Sequence, residues 1–198
     1  MSGRESLRTF FAVELPSAVR AQAGAAIERL RPELPDPVRW VPEANLHLTL
    51  KFLGEIDPDR IPKLVHAAAA KLVREHPFEA ELGGLGAFPS ARAARLVWLG
   101  VARGAGPLAR LARKLDAAAG RLGLERERRP YRAHLTIGRL RTPERIPLER
   151  VTAPEGAAFP VDEVVLFESR ISSTGSRYRP LARLPLGQAD VLEFAPSD

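Results

Sequence analysis

The sequence predicts an α+β fold with two similar lobes that face each other across a central cleft. Segments that alternate apolar and polar residues, a pattern typical of half-buried strands, recur along the chain. Three longer segments between them have the apolar spacing of helices. One strand pattern, His-Leu-Thr followed by Leu or Ile, occurs twice, in different halves of the chain. An internal duplication would explain this repeat and would give each lobe one copy.

The first quarter of the chain alternates predicted strands and helices. Residues 8–15 (RTFFAVEL) have strand character up to the proline that follows them. Residues 17–30 have helical spacing, and Ser17 is a candidate N-cap. Residues 38–41 are a short extended piece. Residues 46–53 (LHLTLKFL) alternate apolar and polar side chains until a glycine marks their end.

The middle of the chain contains a helix, a pair of strands and another helix. Residues 61–75 form the second predicted helix. Residues 78–88 and 96–101 are predicted strands joined by the segment PSARAAR. Residues 107–122 form a third predicted helix, which is amphipathic. The glycine that follows them favours a helix C-terminus at this point.

The last third of the chain returns to strands. Residues 134–140 (HLTIGRL) resemble the earlier strand at 46–53, and residues 161–172 and 178–186 supply two more strands. Residues 141–160 are predicted to be a Pro-rich connection. With no low-complexity segment or long linker, we expect residues 1–198 to form a single bilobal domain.

The composition limits the class of protein. It is that of an ordinary soluble globular protein, with 45% hydrophobic and 27% charged residues. No apolar run is long enough to span a bilayer, and no signal-peptide pattern opens the chain, so a cytoplasmic location is expected. The chain has no cysteine, which excludes disulfides and thiolate metal ligands.

The chain is basic, with 30 Lys and Arg against 24 Asp and Glu, a formal charge of +6. Its arginines cluster in two places: Arg126, Arg128, Arg129 and Arg132, and then Arg170, Arg177, Arg179 and Arg183. Guanidinium groups match phosphate oxygens, so a polyanionic partner is plausible. The alternative is an arginine-rich surface that is merely solvated, and charge alone favours this alternative.

The repeated His-x-Thr unit is the most informative feature. Residues two apart in a strand point to the same face, so His47 and Thr49 share a polar face, and His134 and Thr136 share another. One such unit is usually an ordinary half-buried strand. With four histidines and six threonines in 198 residues, about 0.1 pair is expected by chance, and two are present. The second copy therefore favours a functional pair.

Two such faces brought together make an acid–base site. Imidazole titrates near pH 6.5, so one ring can act as a base while the other, protonated, acts as an acid. Hydrolysis of a phosphodiester needs both roles. The threonine hydroxyls can donate to phosphate oxygens where negative charge develops. This scheme requires no metal, and neither motif contains a carboxylate cluster suited to Mg²⁺.

Beyond these tetrapeptides, the chain resembles the 2H phosphoesterases, and most closely their bacterial and archaeal 2′-5′ RNA ligase / RNA 2′,3′-cyclic phosphodiesterase branch. The resemblance spans nearly the whole chain in order and spacing. It is carried by RTFFAVELP, VRWVPEANLHLTLKFLGEI, LGAFPSARAARLVWLGV, YRAHLTIGRL and LFESRISSTGSRYRPLARLPL. It implies the LigT-like fold, in which two lobes, each with an antiparallel sheet and helices, surround a cleft with one motif from each lobe.

The resemblance also implies an activity. Proteins of this branch open 2′,3′-cyclic phosphate ends of RNA to leave a 2′-phosphate, and some join RNA halves through a 2′-5′ linkage without a nucleotide cofactor. We therefore expect an enzyme with no cofactor and no metal, acting on RNA with cyclic phosphate ends, tRNA halves among them. A monomer that does not bind membranes is expected.

The resemblance assigns roles within the motifs. His47 and His134 are implied to be catalytic, and Thr49 and Thr136 to bind phosphate. His47 is assigned as the acid for the leaving 3′ oxygen and His134 as the base for water, although the sequence is symmetric about this choice.

Two cations near the motifs are further candidates for phosphate binding. Arg139 matches a basic residue that follows the second motif in this branch. It lies five residues after His134, however, so a regular strand would point it to the opposite face unless Gly138 permits a bulge. Lys51 has the right parity, four residues after His47. Either side chain could instead face solvent.

Aromatic and basic residues near the motifs are candidate contacts for a base or the RNA backbone. Phe10 lies where this branch has a large apolar residue and could stack on a base, although core packing is the favoured interpretation. Tyr131 and Arg132 lie just before the second motif and could border the cleft.

Three interpretations of function remain open from the sequence. The first is a metal-independent cyclic phosphodiesterase, with ligation as the alternative direction of the same chemistry. The second is a cyclic phosphodiesterase of a small nucleotide, such as ADP-ribose 1″,2″-cyclic phosphate. The third is a non-catalytic protein that binds RNA through its arginines, with an affinity that depends on salt.

Overall fold

Ten strands and three α-helices make up the described part of the chain. The structure, a computed structural model, describes residues 6–34, 38–148, 156, 158–172, 175–188 and 192–194 of the 198 residues. The helices are α1 (Ser17–Leu30), α2 (Ile61–Leu72) and α3 (Ala105–Arg121). The strands are β1 (Leu7–Glu14), β2 (Val38–Trp40), β3 (His47–Ile56), β4 (Phe78–Phe88), β5 (Ala94–Arg103), β6 (His134–Glu144), β7 (Ala158–Val161), β8 (Glu163–Ser172), β9 (Gly175–Pro185) and β10 (Leu192–Phe194). None of the three helices is long and apolar enough to span a bilayer.

The strands form two antiparallel five-stranded sheets, and each sheet contains one copy of the repeated motif. The first has the order β10-β9-β8-β1-β3, and the second has the order β2-β6-β5-β4-β7. In the first sheet, the motif strand β3 pairs with β1, and helix α1 lies between these strands in the chain. In the second sheet, the motif strand β6 pairs with β5, and helix α3 lies between them in the chain. The two sheets therefore repeat the same local arrangement, as the repeat in the sequence predicts.

A continuous hydrophobic core joins the two sheets. Phe11 and Leu48 of the first sheet, Leu135 of the second and Leu115 of α3 are fully buried members of the same cluster. Burial of one such leucine contributes about 1.5–3 kcal/mol. Helix α3 follows β5 of the second sheet but packs against β3 of the first, and the motif strands β3 and β6 also contact each other. The packing thus brings the two motifs to the junction of the sheets.

Most predicted elements are present, with three corrections. Residues 17–30 and 78–88 are the helix and strand that the sequence predicts. Ser17, however, is the first helical residue, and the N-cap position belongs to Pro16, without a side-chain cap. Residues 141–160 are more than a connection, because β6 extends to Glu144 and β7 lies at Ala158–Val161. Strand β10 was also not predicted. These pieces are held by backbone pairing with neighbouring strands, which local sequence patterns do not reveal.

Candidate active site

His47 is the first residue of β3, immediately after a short 3₁₀ turn at Glu43–Asn45 and one connecting residue. The Nδ1 of His47 lies 2.8 Å from the carbonyl oxygen of Asn45, and Nε2 lies 3.0 Å from the hydroxyl of Thr49. Because a carbonyl can only accept, Nδ1 carries the proton and donates it. In the neutral ring, Nε2 is then the basic nitrogen and accepts from the Thr49 hydroxyl.

His134 begins β6 and has the same backbone partner as its counterpart. Its Nδ1 lies 2.7 Å from the carbonyl oxygen of Arg132, again two residues upstream. The same argument places the proton on Nδ1 and leaves Nε2 for proton transfer. The two motifs therefore hold their histidines in the same tautomer by the same local device.

The alternation predicted for both motifs is confirmed. Leu48 and Leu50 are 0% and 4% exposed, whereas His47 and Thr49 are half-buried on the opposite face. In the second motif, Leu135 and Ile137 are buried, and His134 and Thr136 are half-buried.

A β-bulge follows each His-x-Thr unit and reverses the parity of the residues after it. In the first sheet, Phe11 pairs with Lys51 and Ala12 pairs with Thr49, so the extra residue is Leu50. In the second sheet, Val97 pairs with Gly138 and Trp98 pairs with Thr136, so the extra residue is Ile137. The irregularity expected near Gly138 is thus present, and a matching one follows the first motif.

The bulges turn Phe52 and Arg139 toward the histidine faces. Each lies five residues after its histidine, and each is exposed, Phe52 to 57%. Arg139 is close enough to both His47 and His134 for its charge to lower both pKa values. The expectation that a bulge redirects Arg139 is therefore confirmed.

Lys51 does not lie on the histidine face, and its predicted role in phosphate binding is wrong. Its side chain is 8% exposed, and its Nζ lies 2.9 Å from Asp116 Oδ1 and donates to the carbonyl of Glu125 at 2.8 Å. The bulge is the physical reason, because it moves Lys51 to the same side as the buried Leu50.

The surroundings of both imidazoles favour the neutral form of the ring. Burial, together with the charges of Arg139 and His134, lowers the pKa of His47 to about 4, although the Asn45 carbonyl opposes the shift. Burial also lowers the pKa of His134, and the nearby Arg132 and Arg139 contribute to the shift. His134 acts on the pKa of His47, and Arg139 acts on the pKa of both rings, which places the two histidines in one site.

Aromatic rings surround each histidine. The Phe10 ring centroid lies 4.8 Å from that of His47 and 5.7 Å from that of Phe52, and the ring of Tyr178 meets His47 edge-on at 5.0 Å. Phe10 is only 2% exposed, so it supports the imidazole and offers no free face to a base. Core packing, the favoured interpretation of Phe10, is therefore confirmed, and the alternative of a base contact at Phe10 is wrong. Phe52 is the exposed ring on this face.

Tyr131 and Arg132 lie at the junction of the motifs, and each contacts a residue of the site or of its surroundings. The Tyr131 hydroxyl donates to the Thr49 carbonyl at 3.0 Å, which links the segment before the second motif to the first motif. The Arg132 guanidinium lies 4.5 Å from the ring centroid of Trp98 and 5.7 Å from that of Phe88. Phe88 in turn meets His134 edge-on at 5.1 Å.

The second arginine cluster is largely paired with carboxylates. Arg170 and Arg179 both bond to the buried Glu168. Arg183 bonds to Glu14 and Glu163. This cluster is therefore mostly neutralised, whereas Arg139 lies beside the histidines. Within the described ranges, no group of three or more His, Cys, Asp or Glu side chains is arranged to hold a metal ion.

Phe52 is the site residue that the sequence interpretation missed. The signal was present in the repeat, because alignment of the two motifs places Phe52 opposite Arg139, five residues after each histidine. It was overlooked because regular strand parity points both residues away from the histidines.

Comparisons with known proteins identify relatives of the chain. The family model of the 2′-5′ RNA ligase superfamily matches residues 16–170. An RNA 2′,3′-cyclic phosphodiesterase of Geobacillus stearothermophilus is 34% identical over 183 residues, which cover 89% of this chain but only 56% of that protein's length. A protein of the same name from Escherichia coli K12 is 33% identical over 187 residues, 93% of this chain and 99% of the relative. The structure of Escherichia coli LigT complexed with 3′-AMP has a TM-score of 0.75 and 32% identity, and the match covers 93% of this chain and 100% of that chain.

Proposed function

Because the chain belongs to the 2′-5′ RNA ligase superfamily, we propose that it is an RNA 2′,3′-cyclic phosphodiesterase that uses His47 and His134 as acid and base. The observation that carries this proposal is the matched environment of the two imidazoles. Each Nδ1 is bonded to a carbonyl two residues upstream, and the charge of Arg139 acts on both rings. Two fixed imidazoles beside the Arg139 cation suit a phosphodiester substrate.

The reaction requires two proton transfers, one from the attacking water and one to the leaving 3′ oxygen. Water attacks the phosphorus of the cyclic phosphate, and the bond between phosphorus and the 3′ oxygen breaks. In our assignment, His134 Nε2 accepts a proton from the water, and protonated His47 donates one to the leaving 3′ oxygen. The products are a 2′-phosphate and a free 3′ hydroxyl. Through solvent, His134 then loses the proton that it accepted, and His47 regains the proton that it donated.

The substrate itself supplies the condition that His47 needs in order to act as an acid. Both rings are neutral in the free protein, but a phosphodiester anion beside His47 favours the charged imidazolium. Once Nε2 is protonated, it no longer accepts from Thr49. The Thr49 hydroxyl is then free to donate to a phosphate oxygen, as Thr136 and Arg139 do in this proposal.

The site would also support ligation, in which a 5′ hydroxyl replaces water and a 2′-5′ linkage forms. The name of the family favours this as a second candidate. The same two histidines would serve, because the attacking group again loses a proton and the 3′ oxygen again gains one. Product analysis with halved tRNA tests it, and the absence of a 2′-5′ junction would count against it.

The natural substrate and setting follow from the same proposal. We infer RNA ends with 2′,3′-cyclic phosphates, including tRNA halves, as substrates of a cytoplasmic monomer. Both motifs come from one chain, so a monomer contains all the proposed groups. A small cyclic nucleotide as the preferred substrate would show as a higher kcat/KM than that of an RNA end.

The decisive experiment measures turnover of an oligoribonucleotide with a 2′,3′-cyclic phosphate end in the presence of EDTA. We expect turnover to persist without free metal, and His47→Ala and His134→Ala to lower kcat by about 10²- to 10⁴-fold each. His66→Ala and His76→Ala are matched controls, because these two histidines lie outside the site. No turnover by the wild type, or equal turnover in all four variants, would contradict the proposal. Salt-sensitive RNA binding without turnover would instead favour a binding protein.

A sulfur-substituted substrate tests which histidine is the acid. When sulfur replaces the 3′ bridging oxygen, the leaving group departs as a thiolate and needs no proton. We expect this substrate to restore turnover to His47→Ala but not to His134→Ala. Rescue of the His134 variant alone would reverse the assignment.

A further inference from the structure

A buried charge network lies under the first motif, on the side away from the histidine. Lys51 and Asp116 are each 8% exposed, and their charged atoms are 2.9 Å apart. Asp116 Oδ1 also accepts from the backbone N–H of Glu127 at 2.9 Å, and Oδ2 accepts from Arg126 Nε at 3.0 Å. Lys51 donates in addition to the Glu125 carbonyl.

All the further partners of this ion pair lie in one segment, residues 125–132, which we call the arginine loop. Its sequence is ERERRPYR, and one residue, Ala133, separates it from the second motif. A buried ion pair adds little net stability over well-packed apolar residues, because desolvation offsets its attraction. Its bonds to the loop are directional, however, so the pair specifies where the loop lies.

The far end of the arginine loop orients His134. The Arg132 carbonyl accepts from His134 Nδ1 at 2.7 Å, and this bond fixes the tautomer that leaves Nε2 free. The Tyr131 hydroxyl and the Arg132 guanidinium hold the same end against Thr49 and Trp98. The loop therefore connects the buried pair at its start to the histidine at its end.

His47 provides an internal comparison, because the carbonyl that accepts from its Nδ1 lies outside the loop. Its Nδ1 donates to Asn45, whose own side chain donates to the Ser176 carbonyl at 2.7 Å. The two histidines thus make the same bond to carbonyls on different, separately anchored segments.

We propose that Lys51 and Asp116 are positioning residues that anchor the arginine loop and thereby hold His134 in its reactive orientation. The catalytic part of this inference rests on the proposed phosphodiesterase function. The structural part, that the ion pair anchors the loop and orients His134, can be tested without a substrate.

Three variants distinguish the anchoring of the arginine loop from the stability of the whole fold. Lys51→Met and Asp116→Asn each leave one buried group without its charged partner, so we expect both to be destabilised. The double variant Lys51→Met/Asp116→Leu removes both charges and fills the space with apolar atoms. The exposed loop atoms that lose their partners can bond to water. We expect the double variant to unfold close to the wild-type temperature while the loop stays unanchored.

The kinetic readout is the split between kcat and KM in the double variant. We expect kcat to fall by about ten- to a hundredfold, because a misplaced base slows the reaction. KM should change little, since Thr49, Thr136 and Arg139 remain in place. Glu168→Gln is the matched control, because it alters another buried carboxylate that is paired with arginines away from the loop.

The second readout is the NMR signal of each hydrogen-bonded Nδ1 proton. In the double variant, the His134 signal should shift or broaden while that of His47 stays unchanged. An unchanged His134 signal, or an equal change in both signals, would overturn the proposal. So would a double variant whose kcat stays within twofold of wild type. A wild type with no phosphodiesterase activity would refute the proposed function, whereas the NMR comparison would still decide the anchoring.

Discussion

The two histidines show how much of this site is set by single residues and their nearest backbone. Each donates from Nδ1 to the carbonyl two residues upstream, so the tautomer is a local property of the motif. The surroundings differ: His47 lies among Phe10, Tyr178 and the Thr49 hydroxyl, whereas the nearest rings to His134 are Phe88 and Trp98. Burial is the largest cause of the lowered pKa in both.

The lowered pKa of His47, about 4, predicts its titration. We expect the imidazole ¹⁵N signals of His47 to keep their neutral values as the pH falls to 5 and to change near pH 4. A bound 2′-phosphate nucleotide should raise this midpoint, because an adjacent anion favours the imidazolium. Arg139→Ala should also raise the pKa of His47, because the substitution removes a positive charge that repels the imidazolium. A midpoint at or above 6.5 in the free protein would contradict the burial argument.

The same shift has a consequence for stability. The folded pKa of His47 lies below the ordinary value of 6.5, so between these values the unfolded chain binds the proton and the folded chain does not. The contribution of His47 to the free energy of unfolding is therefore lost as the pH falls from about 6.5 toward 4. His47→Gln should flatten this part of the stability profile measured by urea unfolding.

Phe52 is the residue on the histidine face with an exposed aromatic ring, and we predict that it stacks on a substrate base. Stacking is worth about 1–3 kcal/mol, so Phe52→Ala should raise KM for an RNA end about tenfold. Phe52→Tyr, which keeps the ring, should retain wild-type KM. With a ribose 2′,3′-cyclic phosphate that lacks a base, Phe52→Ala and Phe52→Tyr should have the same KM. Equal losses on both substrates would show that the ring only supports the fold.

At the scale of the element, the bulges decide which residues reach the site. Lys51 and Gly138 occupy the same position in the two bulges, one residue before Phe52 and Arg139. In the first sheet this position sends a lysine into the interior toward Asp116. In the second, the absence of a side chain lets β2 pair closely, with Trp40 opposite Gly138. The same backbone irregularity thus serves different packing in the two sheets.

Gly138→Ala tests the close approach of β2 to the second bulge. A Cβ at residue 138 would lie 2.6 Å from Val38 Cγ1, so we expect the free energy of unfolding to fall by about 1–3 kcal/mol. Adding Val38→Ala should recover part of this loss by making room. Gly106→Ala is the control, since a Cβ there meets nothing within 4 Å. Urea unfolding gives the free energy of unfolding of the wild type and of the three variants. Equal effects of Gly138→Ala and Gly106→Ala would refute the steric explanation.

At the scale of the whole molecule, the site depends on contacts between the two sheets. Each sheet supplies one His-x-Thr unit, and β3 and β6 meet where the shared core brings the sheets together. Tyr131 bonds across this junction to Thr49, and Lys51 reaches from β3 to α3 and the arginine loop. The junction of the two sheets is therefore held by polar links as well as by packing.

Tyr131→Phe tests the link across the junction. Loss of its hydroxyl removes one hydrogen bond to the Thr49 carbonyl, so we expect the free energy of unfolding to fall by about 1 kcal/mol. The other tyrosine of the chain, Tyr178, is the control, because its hydroxyl has no hydrogen-bond partner within the described residues. Tyr178→Phe should leave the urea midpoint unchanged, and an equal effect of both substitutions would argue against the link.

The sequence by itself determined the fold class and the paired histidines. Strand parity depends only on the two-residue repeat of an extended backbone, so Leu48 and Leu135 could be assigned to the core and His47 and His134 to polar faces without a structure. The repeat of the motif likewise indicated two sheets with one motif each. Both inferences depend on local geometry, which a sequence pattern carries directly.

Only the tertiary structure decided which neighbours of the motifs share the site. A bulge is an irregularity of pairing with another strand, so parity failed for Lys51 and Phe52, and Arg139 reached the site only through the bulge. The pairing of Lys51 with Asp116, and the burial of Phe10 beneath His47, join parts of the chain that are distant in sequence. Such contacts are set by how the sheets and α3 pack, which no local pattern encodes.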